Sequence, residues 1–418
     1  MPNLPLPDSA AAAHSAALEE LIATRLAGTG WLSFADYMQL ALYAPGLGYY
    51  SAGAHKFGAA GDFVTAAELS PLFAAVCARQ MSRLFAACGA ASVLELGPGS
   101  GRFAATALEA FHRAGISLSR YALLEVSADL RERQQRLLKP KSADAEFADP
   151  EFADPGLAGN VPLAWLNELP QRFRGVIFGN EVIDALPCER FVVQGGRLWR
   201  LGVGVARADS ERRFEWRARP ADGSAEGDDE FNATATGLLR DLQAVGVELP
   251  DGYCGEWQLG LVAWIASLAQ SLECGAILLA DYGLPRRQLY HPDRVSGSLR
   301  CHYRHHAHAD PFSLPGLTDI TAWVDFTRVA EAAAAAGLEV AGFTTQGGFL
   351  LGGGIEQVYA ELRSADSADE LRTAQLASGL RRLLLPGEMG EAVKFILLTR
   401  DIDVSLPAFE LRDLRASL

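Results

Sequence analysis

The strongest chemical signal in the chain is segment 93–101, which reads V-L-E-L-G-P-G-S-G. Apolar residues surround Glu95 in the pattern of a buried parallel strand. Gly97, Gly99 and Gly101 then form a turn, and apolar residues follow at helical spacing. Glycines let the backbone approach a ligand closely, and a helix N-terminus offers free N–H groups. The segment therefore predicts the first half of a nucleotide-binding βαβ unit.

The spacing of these glycines distinguishes between cofactors. A dinucleotide turn needs Gly-x-Gly-x-x-Gly, and Arg102 stands where the third glycine would allow close helix–strand packing. The pattern from Glu95 to Gly101, which includes Pro98, instead resembles the first motif of class I S-adenosylmethionine (SAM)-dependent methyltransferases. A carboxylate at Glu95 suits the ammonium group of such a ligand. A structural βα turn in another α/β protein is the alternative.

A second strand, followed by an acid, supports this interpretation. Residues 121–124 are mostly apolar, and Glu125, Val126 and a polar helix follow them. An acid at the end of the second strand is placed to bind a ribose diol, about 20 residues after the glycine turn. We therefore assign Glu125 and Val126 to the cofactor site. A solvated glutamate at a loop mouth is the alternative for Glu125.

Polar residues also follow the predicted fourth strand, 175–180. The sequence there is N-E-V-I-D, with Asn180, Glu181 and Asp184. Ligands of open α/β sheets bind at the carboxyl ends of strands, so we expect these side chains to face the cofactor crevice. If the methyl acceptor is a guanidinium nitrogen, its high pKa means that carboxylates must align it and accept its proton during methyl transfer. Glu181 and Asp184 would share a face in a helix. A plain helix-start acid is an equal alternative for Asp184.

Two further features are weaker candidates for a ligand site. The segment 301–310 contains four of the eight histidines, at His302, His305, His306 and His308. It has no companion Cys/His pair at a standard spacing, so we predict a polar loop over the substrate channel and no metal. Trp165, near the end of the predicted third strand, is a candidate for lining an adenine pocket.

Composition limits the class of protein. The 418 residues are 49% hydrophobic and 21% charged, as in soluble globular proteins. The net charge of −14 argues against a nucleic-acid partner bound through phosphates and fits a cationic partner. The six cysteines are scattered, as in reduced cytosolic proteins. No apolar run reaches 18 residues and no secretory signal is evident, so we expect a cytoplasmic protein without membrane insertion.

The alternation of strand and helix patterns predicts an α/β, Rossmann-like fold with a mainly parallel seven-stranded sheet. Four parts are expected: a helical N-terminal region and lid (1–90), the first half of a SAM-binding core (91–187), an inserted α+β subdomain (188–272) and the second half of the core with C-terminal strands (273–418). The insertion should begin with a hairpin that turns at Gly195–Gly196 and end with a helix over 257–273. We interpret the glycines at 347–348 and 352–354 as loops or caps.

Several strings along the chain together resemble one family, the MidA-like proteins, whose mitochondrial members are arginine methyltransferases that act as complex I assembly factors. These strings are L-Y-x-P-x-L-G-Y-Y (42–50), G-D-F-V-T (61–65), E-L-S (68–70), E-L-G-P-G-S-G (95–101), N-E-V-I-D-A-L-P (180–187), D-Y-G (281–283), P-G-L-T-D-I-T-A-W-V-D-F (315–326), T-Q-G-G-F-L (345–350) and M-G-E (389–391). The resemblance thus covers nearly the whole chain.

The resemblance implies a class I SAM-dependent methyltransferase that N-methylates an arginine in a protein partner, with a respiratory complex I subunit as the family's example. It implies that Gly61, Asp62, Phe63 and Thr65 belong to an N-terminal segment that closes over SAM. It places Asn180, Glu181 and Asp184 at the acceptor side. Two positions depart from the family: Ala67 replaces a usual proline, and Trp323 replaces a histidine common in bacterial relatives.

Two other functions stay open at this stage. A NAD-dependent oxidoreductase would also use a βα glycine turn, although Arg102 argues against it. A different class is an assembly chaperone that binds SAM structurally or does not bind it at all. The oligomeric state is also open, with a homodimer as one option. The sequence favours the methyltransferase because the glycine turn and both cofactor acids, Glu95 and Glu125, are present.

Overall fold

The computed structural model describes residues 4–52, 65–138, 161–208, 211–221, 227–365 and 369–418. The N-terminal region contains α1 (Ser9–Thr29), β1 (Leu32–Ser33), α2 (Phe34–Tyr43), α3 (Ala66–Leu69) and α4 (Pro71–Cys88). Ser33 begins α2 because its Oγ accepts the backbone N–H of Asp36 at 3.0 Å.

The first half of the core alternates strands and helices as the sequence predicts. It contains β2 (Ser92–Leu96), α5 (Arg102–Arg113), β3 (Arg120–Leu124), α6 (Ala128–Leu138), β4 (Leu163–Leu166) and β5 (Phe173–Asn180). The strands pair in parallel, with β2 between β3 and β5. Each connection between these strands therefore returns the chain to the edge of the sheet at which the strands begin.

The inserted segment forms a second, antiparallel sheet. It contains β6 (Cys188–Gln194), β7 (Arg197–Ala208), β8 (Glu211–Arg219), α7 (Asp228–Ala244), β9 (Cys254–Gln258) and α8 (Leu261–Ser271). The predicted hairpin is present, since β6 and β7 pair antiparallel. It turns at Gly195 and Gly196, which both have the positive φ that such a turn requires. The helix expected over 257–273 begins only at Leu261, since residues 254–258 pair with β6. The short β1 also pairs with β7, which joins the N-terminal region to this sheet.

The second half completes the core. It contains β10 (Leu272–Leu284), α9 (Arg286–Leu289), β11 (Arg300–Tyr303), β12 (His306–His308), β13 (Asp319–Thr321), β14 (Val324–Asp325), α10 (Phe326–Ala335), β15 (Glu339–Thr345), α11 (Gln346–Gly352), α12 (Ile355–Ala365), α13 (Glu370–Leu384), α14 (Met389–Ala392), β16 (Val393–Arg400), α15 (Pro407–Glu410) and a final 3₁₀ turn (Arg415–Ser417). The predicted boundaries between the four parts remain a prediction.

The sequence analysis expected Gly347 and Gly348 in a loop or a cap, but both residues lie inside α11. A Cβ at Gly347 would lie 3.2 Å from the carbonyl oxygen of Leu384, and one at Gly348 would lie 2.6 Å from Oγ1 of Thr344. Close packing against neighbouring groups therefore explains these glycines, and it was not visible in the sequence.

In the described part of the chain, the main sheet has the strand order β15-β16-β10-β5-β2-β3-β4, with the short β14 beside β10. Six of these seven strands run in the same direction, and only β16 runs antiparallel, between β10 and β15. This confirms the predicted α/β fold with a mainly parallel sheet. The order reverses between β2 and β5, which is where open α/β sheets bind ligands.

Two apolar layers cover the faces of this sheet. Helices α4 and α5 pack on one face, where Phe103 stacks on Phe178 at 4.1 Å between ring centroids. Helices α8 and α10 cover the other face through Leu261, Ile265 and Val329. Within the described residues, no helix combines the length and apolar character needed to cross a bilayer. The carboxyl ends of β2, β3, β5 and β10 are thus held at one edge of a rigid sheet.

Candidate active site

The glycine turn after β2 has the backbone that the sequence predicts. Gly97, Gly99 and Gly101 have φ values of 55°, 53° and 86°, a region that side chains other than glycine rarely adopt. A Cβ at Gly97 would lie 2.9 Å from Cγ1 of Val182, in the turn after β5. Gly97 therefore allows the turns after β2 and β5 to pack directly on each other. The N-terminus of α5 follows at Arg102.

Glu125 occupies the end of β3, as expected for a ribose-binding acid. It is buried, and its carboxylate accepts the backbone N–H of Ser127 at 2.8 Å and Nε2 of Gln134 at 3.0 Å. The same Nε2 donates to the carbonyl oxygen of Gly99 at 2.8 Å. Burial raises the pKa of Glu125. Gln134, which the sequence analysis did not identify, thus connects the acid to the glycine turn.

Trp165 contacts Gln134 and does not line the cavity described below. Its indole N–H donates to Oε1 of Gln134 at 3.0 Å. The candidate role of Trp165 in an adenine pocket is therefore wrong for this structure. The indole N–H instead helps to fix the orientation of the Gln134 amide.

A cavity of about 340 Å³ runs along the carboxyl edge of the sheet. Its lining includes the predicted cofactor residues Glu95, Gly97, Pro98, Gly99, Glu125, Val126 and Thr65, and the predicted acceptor residues Asn180 and Glu181. Gly101, the N-cap residue of α5, lies next to this lining. Val126 is 77% exposed, as an apolar side chain next to a ligand site would be. The structure thus brings together residues far apart in the chain, as the sequence analysis expected.

Glu95 is buried at one side of this cavity. The hydroxyl of Tyr121 donates to its Oε2 at 2.6 Å. Burial raises the pKa of Glu95 to about 8, and the hydrogen bond from Tyr121 only partly offsets this effect. A cationic group bound beside Glu95 would favour the carboxylate form. This environment fits the ammonium of a methionine moiety.

The described part of the N-terminal lid is attached to the cofactor turn. Glu68 of α3 accepts the Ser100 hydroxyl and forms an ion pair with Nε of Arg102 at 2.9 Å. Arg102, which argued against a dinucleotide turn, therefore has a structural partner here. Thr65 lines the cavity at the start of α3. The other lid residues assigned from the sequence, Gly61, Asp62 and Phe63, lie outside the described residues.

Glu181, which the sequence analysis assigned to the acceptor side, lines the cavity in a strained conformation. Its φ is 53°, which is uncommon for a residue other than glycine. Its Oε1 accepts Nδ2 of Asn180 at 3.1 Å and the backbone N–H of Ala66 at 3.3 Å. Burial and the charges of Asp281 and Asp319 raise the pKa of Glu181 to about 8. Glu181 is thus held between the end of β5 and the lid.

Asp184 is close to this cavity but behind its surface. Residues 181–184 form a turn and not a helix, so Glu181 and Asp184 do not share a helical face. Ala185, and not Asp184, lines the cavity. Asp184 is 6% exposed, and burial and the charge of Asp281 raise its pKa. Its catalytic role remains a prediction.

Asp281 is a buried acid beside the site that the sequence analysis did not assign to it. It is fully buried at the end of β10, and its Oδ2 accepts the backbone N–H groups of Val182 at 3.0 Å, Ile183 at 2.7 Å and Asp184 at 3.4 Å. Its Oδ1 accepts the N–H of Tyr282 at 2.8 Å. These bonds fix the turn that carries Glu181. The D-Y-G string (281–283), near the end of a central strand, was the available signal.

The histidine-rich segment does not reach the cavity. It forms the β11–β12 hairpin, whose turn residues Arg304 and His305 have positive φ. None of its histidines lines the cavity, so the expected position over the substrate channel is wrong. Among the described residues, no three His, Cys, Asp or Glu side chains are grouped as metal ligands.

Comparison with known proteins identifies the family. Residues 72–344 match the sequence profile of a family described as "Putative S-adenosyl-L-methionine-dependent methyltransferase". That range is more than half of the chain. The chain belongs to this methyltransferase family. It is also similar to a Burkholderia thailandensis protein crystallised with S-adenosyl-homocysteine, with 38% identity, a TM-score of 0.87 and full coverage of both chains.

The methyltransferase also has mitochondrial relatives. It is 29% identical over 394 residues to "Protein arginine methyltransferase NDUFAF7, mitochondrial" of Danio rerio, a match that covers 90% of this chain and 85% of that protein. The Rattus norvegicus protein of the same name is 29% identical over 391 residues, with 90% and 82% coverage. The family match and the Burkholderia thailandensis relative crystallised with S-adenosyl-homocysteine show that the cofactor of this methyltransferase is SAM.

We predict that Gly99→Val abolishes cofactor binding. A branched side chain at φ 53° would be strained, and it would be added to a residue that lines the cavity. Calorimetry with S-adenosyl-homocysteine should show an affinity at least about 100-fold weaker, a loss of about 2.8 kcal/mol. Gly115→Val is the matched control, because Gly115 also has positive φ, but a Cβ there would meet none of the described atoms within 4 Å. Unchanged affinity in Gly99→Val would overturn the assignment of the turn.

A second prediction concerns the ligand-free protein between pH 5 and pH 8. The pKa of Glu181 is about 8 in the folded protein and near 4.5 without the fold. The protonated side chain therefore contributes stability that is fully present below pH 4.5 and is lost as the pH rises towards 8. Glu181→Gln should become more stable relative to wild type over this range, by more than about 1.4 kcal/mol, the value of one pKa unit.

Urea unfolding at the two pH values measures this difference. Glu273→Gln is the control, since Glu273 is exposed and its ion pair with Arg172 lowers its pKa. That variant should gain no stability between pH 5 and pH 8. Parallel pH dependences for wild type and Glu181→Gln would show that the fold does not perturb Glu181.

Proposed function

We propose that this methyltransferase N-methylates an arginine side chain of a protein partner. The observation that carries the proposal is the group of acids at the acceptor end of the cofactor cavity. Glu181 lines the cavity, and Asp184 and Asp281 lie directly behind it. The glycine turn packs against the same segment through Val182. The acids are therefore next to the place where a methyl donor is held.

The electrostatics of this group favour a cationic acceptor. The main charges acting on Glu181 are those of Asp281 and Asp319, which are both negative. Buried like charges are costly unless protons or a bound cation balance them. A guanidinium would balance these charges and offers several N–H donors to carboxylates. Its proximity would lower the pKa of Glu181 and produce the carboxylate form.

The chain's own groups can then prepare the nucleophile. Bound SAM supplies an electrophilic methyl group on a sulfonium. Glu181 would accept an N–H of the guanidinium and so orient the nitrogen. As the new N–C bond formed, the methyl–sulfur bond would break and leave S-adenosyl-homocysteine, and the proton lost from the nitrogen would pass to the Glu181 carboxylate. Asn180 donates to Glu181 and keeps its carboxyl group in place.

The relatives support the choice of a protein substrate, since two of them are named protein arginine methyltransferases. The net charge of −14 is compatible with a basic partner segment. Within this class, the family resemblance makes a respiratory complex I subunit the first candidate. We keep a cytoplasmic location as part of the proposal, although the named relatives are mitochondrial, and cell fractionation would test it.

Labelling with tritiated SAM tests the reaction. The purified protein is incubated with a lysate from cells that lack it, and the labelled protein is hydrolysed to amino acids. We expect label in methylarginine. Glu181→Gln should bind S-adenosyl-homocysteine with near-normal affinity but lose at least about 100-fold in rate, because the proton acceptor is removed. Glu273→Gln, an exposed exchange, should label at the wild-type rate.

Other outcomes would identify a different function. Label in another amino acid would disprove arginine methylation but leave the methyltransferase intact. Cofactor binding without any labelled protein would support a non-catalytic assembly chaperone. A wild-type rate in Glu181→Gln would remove Glu181 from the reaction.

A further inference from the structure

Two tyrosines from the N-terminal region also line the cavity at its acceptor end. Tyr43, at the end of α2, and Tyr50 are both half-buried. Their rings stack with 5.5 Å between centroids and an angle of 27°. Tyr43 hydrogen-bonds to Ala185, which lines the same cavity as Glu181 and lies four residues after it in the chain. The tyrosines therefore belong to the acceptor side and not to the ribose side.

The hydroxyl groups of both tyrosines are already bound. Tyr43 donates to the carbonyl oxygen of Ala185 at 2.9 Å. Tyr50 donates to Oδ1 of Asp319 at 2.8 Å, and Asp319 is 2% exposed. With their O–H donors used by the protein, the rings contribute carbon surface to the cavity. The two hydrogen bonds also fix the ring orientations.

Buried carboxyl groups lie close to these rings. Burial and then the charges of Asp319 and Asp184 raise the pKa of both tyrosines. Aromatic faces attract cations, and nearby carboxylates add to this attraction. A guanidinium is planar and weakly hydrated and stacks well on aromatic rings, whereas an ammonium is compact and strongly hydrated. The surface thus suits a planar cation.

We propose that Tyr43 and Tyr50 are specificity-determining residues that stack on the substrate guanidinium, and that Asp319 positions Tyr50 for this contact. The proposal rests on the proposed arginine methylation and explains how the site prefers arginine to lysine. Glu181 would then engage the N–H edge of the guanidinium, while the tyrosine pair binds its face. The N-terminal region would thereby contribute directly to substrate recognition.

Methylation kinetics in the lysate of cells that lack this protein test the proposal. Tritium incorporation is measured against lysate concentration for wild type, Tyr43→Leu, Tyr50→Leu and Tyr50→Phe. Both leucine variants should raise the apparent KM about tenfold, the size of a cation–π contact, with kcat changed less than about threefold. Tyr50→Phe keeps the ring and should restore most of the affinity lost in Tyr50→Leu. Affinity for S-adenosyl-homocysteine should stay within about threefold of wild type in all variants.

Two small cations provide a direct test of selectivity. Methylguanidinium chloride should inhibit the wild-type reaction more strongly than methylammonium chloride, and this preference should disappear in Tyr43→Leu. Tyr253→Leu is the matched control for general destabilisation, since Tyr253 is buried in the inserted sheet and stacks on Phe191 at 6.2 Å. It should keep the wild-type KM and the inhibitor preference.

The outcomes separate this proposal from the proposed function. If hydrolysates contain labelled methylarginine but both leucine variants keep the wild-type KM and inhibitor preference, the tyrosines do not select the substrate, and arginine methylation stands. If no methylarginine is labelled, the proposed function fails and this inference fails with it. If the leucine variants raise KM, if Tyr50→Phe recovers part of the lost affinity and if the inhibitor preference is lost, the results support both this inference and arginine methylation.

Discussion

The Asp281 carboxylate binds the backbone of the turn after β5, and the position of Glu181 depends on this interaction. Three consecutive N–H groups, from Val182 to Asp184, point at one carboxylate oxygen. Without an acceptor, these buried donors would each cost about 1–3 kcal/mol. The carboxylate therefore compensates for a backbone conformation in which Glu181 has a positive φ. β5 and β10 are adjacent parallel strands, so the sheet itself brings Asp281 to this turn.

The same turn joins the cofactor side to the acceptor side. Val182 packs where Gly97 and Gly179 have no side chain, with 2.9 Å from Val182 to a Cβ built at either glycine. The lid helix α3 contacts both sides as well, through Glu68 to the cofactor turn and through Ala66 to Glu181. A change in one turn must therefore affect the other. This coupling is what a methyl transfer requires, because donor and acceptor must be aligned to a fraction of an ångström.

Local sequence patterns predicted the cofactor side well. The glycine turn and Glu125 each lie next to a strand whose apolar pattern is visible in a short segment, and the comparisons confirm the cofactor. The helix expected at 257–273 failed because the pairing of residues 254–258 with β6 decides their structure. Trp165 was misassigned because its indole N–H serves Gln134, a contact that depends on the packing of α6 against β4.

The acceptor side could be predicted only in part, because its key contacts join distant segments. Asp281 and Val182 are 99 residues apart, and Tyr50 and Asp319 are 269 residues apart. The sequence showed acids after β5 but could not show which buried groups face them. Asn180 and Glu181 could be placed beside the cavity because they stand at the end of a strand. Tyr43, Tyr50 and Asp281 required the fold.

The most direct test of this account is the methylation rate of Asp281→Asn as a function of pH. One acceptor oxygen and the charge are lost, so we expect kcat to fall at least about tenfold, while the affinity for S-adenosyl-homocysteine changes less than about threefold. Removal of the charge lowers the pKa of Glu181, so activity that needs its carboxylate should begin at lower pH than in wild type. Asp325→Asn, which alters a buried helix cap elsewhere, should not shift the profile. A wild-type rate and pH profile in Asp281→Asn would contradict the account.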